Sequence, residues 1–317
     1  MKVLVTGATS LLGRHVTGLL LARGDDVTTF QRGESGLATR EVRADIRDLD
    51  ALLAAAKGRD AVIHVAALVA PRPRWEDAFA INVGGTRHAR LAAETCGRFV
   101  HISSPSVAFD GRGHIGQGTK PASYTGSDRY TRSKALAEQL VLDQPRVPTV
   151  VIRPHLVWGP SDTQLVGRII ERAKKGQLRL PNHGVALIDT TYITDAAAAI
   201  VAGLDAANES SPAINRAWTV TGNDPRPLAE LVNGILQAAG ISSPVKHIDG
   251  KLALSVGALI QKVWWGDEPP LTRFAAQQLS LAHTFDQRDT QVALQWMPTV
   301  STQEGLRRLH AVLPLAK

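Results

Sequence analysis

Short apolar runs alternate with segments of helical spacing through the first half of the chain. The apolar runs, rich in β-branched residues, lie at 2–6, 26–31, 61–65, 98–103 and 148–153. Stretches whose apolar residues recur every three or four positions lie at 12–23, 48–57, 76–95 and 130–143. Runs of the first kind are typical of buried strands, and stretches of the second kind are typical of amphipathic helices. The alternation predicts an α/β fold, with a doubly wound parallel sheet and helices on both faces.

One stretch interrupts this alternation of apolar runs and helical spacing, and the alternation ends towards the carboxyl end of the chain. The stretch 108–128 is rich in Gly, Ser, Thr and Asp and predicts a long loop, a feature that is often functional in compact domains. From about residue 222 the spacing is helical and strand alternation has gone. We predict two units, a Rossmann-type domain over 1–158 with a returning segment at about 187–221, and a smaller, mostly helical C-terminal lobe over 159–186 and 222–317.

Composition narrows the class of protein. Of the 317 residues, 44% are hydrophobic and 21% are charged, as in ordinary globular proteins. The single cysteine, Cys96, cannot form an internal disulfide, which fits the cytoplasm as the expected location. The net charge of +7 favours anionic small molecules, but the basic residues are scattered and no nucleic-acid motif appears, so we expect no nucleic-acid partner. The ten histidines lack paired ligand spacing, so we expect no metal site.

The longest apolar stretch near the carboxyl end is 252–265. Three polar residues interrupt it, and it is too short to span a bilayer, so no transmembrane segment is expected. We expect an amphipathic helix that covers a pocket. Contact with a membrane surface through Trp264 and Trp265 is the alternative.

A possible ligand-binding turn opens the chain. An apolar run at 3–5 is followed by a turn with Gly7 and then by helical spacing from Leu11. A strand, a glycine turn and a helix in this order bind pyrophosphate, because the helix N-terminus presents unpaired N–H groups and partial positive charge. Gly7 would allow the turn, and Gly13 would allow close packing of helix and strand. An ordinary βα turn is the alternative for this motif alone.

The end of the second apolar run bears on the choice of cofactor. No Asp or Glu stands at 30–33 to bind a ribose 2′-hydroxyl, and Arg32 stands there instead. The guanidinium suits a 2′-phosphate, to which Arg14 could add a contact, so we predict NADP(H), with NAD(H) as the alternative. An exposed loop arginine is the other interpretation of Arg32. Asp45 is either an adenine contact or a helix N-cap.

The pair Tyr130 and Lys134 is the sharpest chemical signal. Residues four apart share a helix face, and Tyr130 is the only one of three tyrosines with a lysine at this spacing. A nearby ammonium lowers the pKa of a phenol from about 10, which would make Tyr130 a usable acid. Ser103 and Ser104 follow an apolar run, where a hydroxyl can bind a carbonyl oxygen, although a turn or cap serine is the alternative.

Together these residues resemble the extended short-chain dehydrogenase/reductase family. Its first-turn pattern, Thr-Gly-x-x-Gly-x-x-Gly, matches 6–13 except that Ser10 replaces the middle glycine. The resemblance implies a catalytic set of Ser104, Tyr130 and Lys134. It implies a cofactor site made of Gly7, Thr9, Ser10, Leu11, Leu12, Gly13, Arg14, Arg32, Asp45, Ile46, Ala66, Ala67, Asn82, Ser103, Tyr130, Lys134, Pro154, His155 and Val157.

Within the family, several segments look like the 3β-hydroxysteroid dehydrogenase branch, and most like its 2-alkyl-3-oxoalkanoate reductases. These segments are 103–111, 189–193, 269–274 and 285–286. The resemblance implies an NADP(H)-dependent enzyme that interconverts 3-oxo and 3-hydroxy groups in a hydrophobic substrate. A carboxylate on that substrate could meet Arg72, Arg74 or His155. The resemblance also implies a homodimer, because helices corresponding to 76–95 and 130–143 often pair in the family.

Three alternatives remain open from the sequence. A 3β-hydroxysteroid dehydrogenase would keep the mechanism and change the substrate. A sugar-nucleotide epimerase or dehydratase usually carries Arg-Tyr-Phe/Phe-Asn-Val-Tyr-Gly-Pro where this chain has a different sequence at 153–160. A non-catalytic NADP-sensing protein belongs to another class, and it would not need Ser104, Tyr130 and Lys134 together.

Overall fold

The computed structural model describes residues 1–242, 245–263 and 272–313. The strands are β1 (Lys2–Thr6), β2 (Asp26–Gln31), β3 (Arg40–Arg43), β4 (Ala61–His64), β5 (Phe99–Ile102), β6 (His114–Gln117), β7 (Thr149–Pro154), β8 (Val157–Trp158), β9 (Arg179–Pro181), β10 (Leu187–Ile188), β11 (Thr191–Tyr192), β12 (Arg216–Val220), β13 (Arg226–Pro227), β14 (Lys246–Ile248) and β15 (His283–Phe285). The α-helices are α1 (Leu11–Ala22), α2 (Leu49–Ala56), α3 (Trp75–Ala78), α4 (Gly85–Glu94), α5 (Arg129–Asp143), α6 (Val166–Lys174), α7 (Ile193–Ala206), α8 (Leu228–Ala238), α9 (Gly250–Val263), α10 (Arg273–Ser280), α11 (Arg288–Leu294) and α12 (Thr302–Val312).

A seven-stranded sheet forms the centre of the molecule, in the order β12-β7-β5-β4-β1-β2-β3. Every neighbouring pair in this sheet is parallel. The order reverses direction at β1, since the chain moves outward to β2 and β3 and then crosses back to β4. Open parallel sheets bind ligands beside the carboxyl ends of their strands at such a switch point. The predicted doubly wound fold is confirmed.

Alternation along each strand divides the core between the two faces of this sheet. Val3 and Val5 of β1 pack on one face with residues of α1 and α7. Leu4, between them, packs on the other face with residues of α2 and α4. The near-continuous apolar runs in the sequence reflect burial on both faces, as expected for parallel strands.

The region predicted as one helix at 76–95 is interrupted. A π-helical segment, Phe79–Gly84, separates α3 from α4. Gly84 and Gly85 adjoin this break, and glycine weakens helical regularity. A Cβ on Gly85 would lie 2.8 Å from Cγ2 of Ile46, so glycine there also lets α4 approach the end of β3.

The C-terminal lobe contains short strands as well as helices. One small sheet has the order β13-β10-β15-β6, and β9 pairs with β14. The prediction of a loop through 108–128 is wrong at β6, which pairs with β15. Such pairing joins residues far apart in sequence, so local composition does not reveal it. β12 returns to the central sheet beside β7, whereas β10 joins the small sheet. Among the described helices, none is both long and apolar enough to cross a membrane.

Candidate active site

The first turn is fixed by backbone packing at the ends of β1, β2 and β4. Gly7 has a φ of +77°, and its N–H donates to Phe30 O at 2.9 Å. A Cβ on Gly7 would lie 2.7 Å from Cα of Ala66, and a Cβ on Gly13 would lie 2.3 Å from Gly7 O. Neither position has room for a side chain, which explains both glycines without reference to a ligand.

Ser10, which replaces the family's middle glycine, caps α1. Its Oγ accepts from Gly13 N at 3.0 Å and donates to Gly7 O at 2.8 Å. The first turn of α1 contains no acidic residue, so no side chain there neutralises the positive helix end. This arrangement fits a pyrophosphate, because the serine stabilises the turn and leaves the helix end electrostatically suited to an anion.

A buried chain of hydrogen bonds stabilises the strand end that leads into this turn. Thr6 Oγ1 is 2.8 Å from Nδ1 of His64, and Nε2 of His64 is 3.1 Å from Thr86 Oγ1. Thr86 Oγ1 donates its own proton to Asn82 O, so His64 Nε2 is the donor to Thr86. Burial, helped by the charge of Lys134, lowers the pKa of His64 to about 3. The imidazole is therefore neutral and joins the ends of β1 and β4 to α4.

Asn82 joins the loop after β4 to α5. Its Oδ1 accepts from Leu68 N at 2.7 Å, and its Nδ2 donates to Leu68 O and to Ser133 Oγ. Ser133 Oγ in turn donates to Tyr130 O at 2.7 Å. The amide therefore positions the first turn of α5, while its predicted cofactor contact stays a prediction.

The carboxyl end of β2 holds a residue that the sequence reasoning missed. Gln31 is the last residue of the strand and is buried, and its Nε2 donates to Thr29 Oγ1 at 3.4 Å. Its Oε1 is also buried and has no hydrogen-bond partner in the part of the chain that the structure describes. A buried amide oxygen of this kind fits a ribose hydroxyl as its donor. Arg32, the next residue, is exposed.

Asp45 does not cap the helix that follows it. Helix α2 begins at Leu49, so Asp48 is the N-cap and accepts from Ala51 N at 3.0 Å. Asp45 instead accepts three hydrogen bonds from Arg47, and these bonds lower the pKa of Asp45 to about 2. The N-cap alternative for Asp45 is wrong, and its adenine contact stays a prediction.

Helix α5 is attached to the end of β5 through Lys134. The buried Nζ of Lys134 donates to Ile102 O at 2.5 Å. Ile102 is the last residue of β5 and is followed directly by Ser103 and Ser104. Tyr130 lies one helical turn before Lys134. One hydrogen bond therefore brings the tyrosine–lysine helix to the strand end that carries the serines.

The electrostatics of this pair differ from the sequence prediction. Burial, together with the charge of Asp128, raises the pKa of Tyr130 to about 12. Burial lowers the pKa of Lys134 to about 8, although Glu138 opposes the shift. The prediction that the phenol titrates below its ordinary value is wrong for the protein alone. The reason is the burial of the phenol, whereas the ammonium of Lys134 is directed at Ile102 O.

The serines after β5 have different surroundings. Ser104 is the N-cap of a 3₁₀ turn over Pro105–Ala108, which confirms the cap interpretation. Its Oγ lies 2.9 Å from Ser106 Oγ, so two hydroxyls are adjacent. Ser103 Oγ is buried without a hydrogen-bond partner among the described residues. The sequence reasoning did not single out Ser106.

Comparisons with known proteins agree with this geometry. The model of the "NAD dependent epimerase/dehydratase family" matches residues 3–217. The chain belongs to this family. It is 36% identical to the 2-alkyl-3-oxoalkanoate reductase of Stenotrophomonas maltophilia, over 98% of this chain and 99% of the relative. It is 29% identical to a 3β-hydroxysteroid dehydrogenase/Δ5→4-isomerase of Mycobacterium tuberculosis, over 96% and 88%.

Solved structures show the same fold. A short-chain dehydrogenase/reductase superfamily protein of Agrobacterium tumefaciens, solved with bound NAD, matches with a TM-score of 0.75 and 22% identity, over 98% of this chain and 96% of that one. The family and its named relatives make this chain an NAD(P)-dependent oxidoreductase of the extended short-chain dehydrogenase/reductase type.

This oxidoreductase holds α5 with a buried ion pair that the sequence reasoning missed. Arg153 of β7 donates to both carboxylate oxygens of Glu138, one turn after Lys134, and both side chains are about 1% exposed. Arg153 also donates to Lys120 O at 2.7 Å. A buried charge is tolerated only when it is paired, so the pair fixes α5 against the sheet and the loop before it.

His155 connects the sheet to the C-terminal lobe. Its Nε2 is 3.0 Å from His283 Nδ1, and His283 Nε2 is 2.5 Å from Gln278 O. A carbonyl only accepts, so His283 donates through Nε2, and its Nδ1 accepts a hydrogen bond from His155 Nε2. Burial and His283 hold the pKa of His155 well below its usual range. A neutral imidazole cannot supply the positive charge that a carboxylate partner needs.

The two arginines predicted to meet a carboxylate have different surroundings. Arg74 is exposed and pairs with Glu76 and Asp77 of its own helix. Arg72 borders a cavity beside the start of α5. Trp264 and Trp265 lie outside the described residues, so the membrane alternative stays a prediction. Among the residues that the structure describes, no group of three or more His, Cys, Asp or Glu side chains could hold a metal ion.

Proposed function

We propose that the protein is an NADP(H)-dependent reductase of 2-alkyl-3-oxoalkanoic acids. The observation that carries the proposal is the hydrogen bond from Lys134 to Ile102 O, which joins the Tyr130 helix to the Ser104 strand end. The similarity to a 2-alkyl-3-oxoalkanoate reductase extends over 98% of the chain, so it includes the C-terminal lobe that we propose as the substrate-binding part.

Three side chains have roles in the proposed reduction. Ser104 would hold the carbonyl oxygen through its hydroxyl. Tyr130 would donate a proton to that oxygen, and a phenol with a pKa of about 12 is fully protonated at neutral pH, as a reduction requires. Lys134 would keep α5 in place and hold the nicotinamide ribose. The bound cofactor supplies the hydride for the carbonyl carbon.

The preference for NADP(H) rests on the end of β2. Arg32 is exposed and close enough to Asp45 to help lower the pKa of that carboxyl. Arg14, on the first turn of α1, is also exposed. The absence of an acid at 30–33 removes the repulsion that would oppose a 2′-phosphate, and Gln31 carries no charge.

An aromatic cluster supports a hydrophobic substrate. Phe274 of α10 lies edge-on to Phe109 at 5.7 Å and to Tyr124 at 5.9 Å between ring centroids. Phe109 and Tyr124 lie on the segment between the catalytic serine and the catalytic tyrosine. This cluster offers apolar surface beside the site, which suits alkyl chains.

The test is NADP⁺ reduction with a 2-alkyl-3-hydroxy acid, since the oxo acid loses CO₂ spontaneously. We expect turnover that falls at least about 1,000-fold in Tyr130→Phe, because the proton-transferring group is lost. Tyr192→Phe, which removes a phenol hydroxyl outside the proposed site, is the matched control, and it should retain turnover within a few-fold. A 3β-hydroxysteroid and a UDP-sugar are tested in parallel. Conversion of the UDP-sugar without NADPH accumulation would contradict the proposal, and turnover of the steroid alone would change the substrate.

A further inference from the structure

A cavity of about 390 Å³ lies at the start of α5, and three of its lining residues are arginines. Arg72 comes from the loop after β4, Arg129 begins α5, and Arg273 begins α10. Ala258 of α9 and Asp128 also line the cavity. The cavity is therefore assembled from segments that are far apart in the sequence.

The charge of this arginine cavity is positive. Among the described residues, its lining contains three arginines and one carboxylate, that of Asp128, which already accepts from Thr131 N at 2.8 Å as the N-cap of α5. Arg129 donates through one nitrogen to Pro73 O at 3.3 Å, which uses one of its five N–H donors. The lining therefore offers charge and donors to an anion.

The start of α10, which carries Arg273, is held in place by packing. Phe274, next to Arg273, lies in the aromatic cluster with Phe109 and Tyr124. Helices α9 and α10 meet closely at Gly257, where a Cβ would lie 2.9 Å from Thr272 O. These contacts fix the first residue of α10 over the beginning of α5.

The cavity borders the start of α5, the helix that carries Tyr130. Arg129 directly precedes Tyr130, so their Cα atoms are about 3.8 Å apart. A 3-oxo acid has its carboxylate carbon two bonds from its carbonyl carbon. An enzyme that reduces such a carbonyl needs its anion site near the proton donor, and this cavity borders the first turn of the helix that carries Tyr130.

We propose that the arginine cavity binds the substrate carboxylate, with Arg129 and Arg273 as the principal contacts and Arg72 as the third. This inference rests on the proposed function and adds its specificity-determining residues. The guanidinium fork matches a carboxylate with two parallel hydrogen bonds, which a lysine cannot provide. Arg74 and His155 have no part in this site.

The experiment compares a 2-alkyl-3-hydroxy acid with its own methyl ester, which lacks the charge. Arg129→Gln and Arg273→Gln are each expected to raise KM for the acid at least tenfold, with kcat changed less than threefold. KM for the ester should stay unchanged in both variants. Arg273→Lys, which keeps the charge and loses the fork, should fall between the wild type and Arg273→Gln. Arg74→Gln is the matched control and should leave both substrates unaffected.

Three other results would overturn the inference, and they distinguish failure of the carboxylate assignment from failure of the proposed function. If the wild type turns over the acid and the variants raise KM for acid and ester equally, the arginines act structurally and bind no carboxylate. If the variants change neither KM, the cavity is not the carboxylate site, while the proposed function stands. If the wild type turns over neither acid nor ester, the proposed function fails, and the carboxylate assignment fails with it.

Discussion

The first turn and the arginine cavity are both suited to anions, but they are built differently. The first turn is contiguous in sequence, and backbone packing at Gly7 and Gly13 sets its shape. Its positive character comes from a helix end without acidic neighbours. The arginine cavity takes full charges from three separate segments, and tertiary contacts set its shape.

This difference separates a general function from a specific one. A turn of backbone can hold the pyrophosphate that is common to many dinucleotides. It needs no charged side chain, but its shape cannot change without loss of packing. A cavity of side chains can change with one substitution without disturbing the sheet. We therefore expect substitutions in the first turn to cost stability, and substitutions around the cavity to change substrate choice.

The largest expected effect is on the first turn. Gly13→Ala should destabilise the protein by about 3 kcal/mol, because its Cβ would lie 2.3 Å from Gly7 O and the turn must move. Gly18→Ala in the same helix is the control, since no atom lies within 4 Å of that added Cβ. It should stabilise the helix by up to about 1 kcal/mol. Denaturant unfolding measures both, and equal effects would contradict the packing argument.

The burial of Lys134 predicts a pH effect on stability. Its folded-state pKa is about 8 against an ordinary 10.5, so between these values the unfolded state binds more protons. The free energy of unfolding attributable to Lys134 should therefore rise with pH, by about 2 kcal/mol between pH 8 and pH 9.5. The difference in the free energy of unfolding between the wild type and Lys134→Met, measured at each pH, isolates this change.

The control for this titration is Lys174→Met, which removes an exposed lysine of α6. Its difference from the wild type should stay flat over the same range. A Lys134 difference that is flat or falls with pH would show that the ammonium is not held in a desolvated site.

The smallest expected effect sharpens the role of the nucleotide region. Arg32→Ala should lower the preference for NADP⁺ over NAD⁺ about tenfold, or about 1.4 kcal/mol, since the guanidinium would pair with the 2′-phosphate. Titration of both cofactors measures the ratio of Kd values. Arg288→Ala removes another exposed arginine, which pairs with Asp286, and should leave the ratio unchanged. An unchanged ratio in Arg32→Ala would remove the basis for the NADP(H) preference.

The sequence by itself determined the elements whose signals are local. Continuous apolar runs indicated the parallel strands, because burial on both faces needs no polar alternation. Regular spacing located α1, α2 and α5, each within one residue of its predicted bounds. The Tyr130–Lys134 spacing and the first-turn glycines were readable for the same reason, since each pattern lies within a few consecutive residues.

Tertiary structure alone decided the features that depend on distant partners. The break before α4, β6 inside the expected loop, and the Arg153–Glu138 pair each arise from contacts between separate segments. The pKa of Tyr130 was misjudged because burial depends on what packs around the phenol, and spacing along a helix does not report it. The arginine cavity had no sequence signature for the same reason. Its residues are neighbours only after the helices of the C-terminal lobe pack over the start of α5.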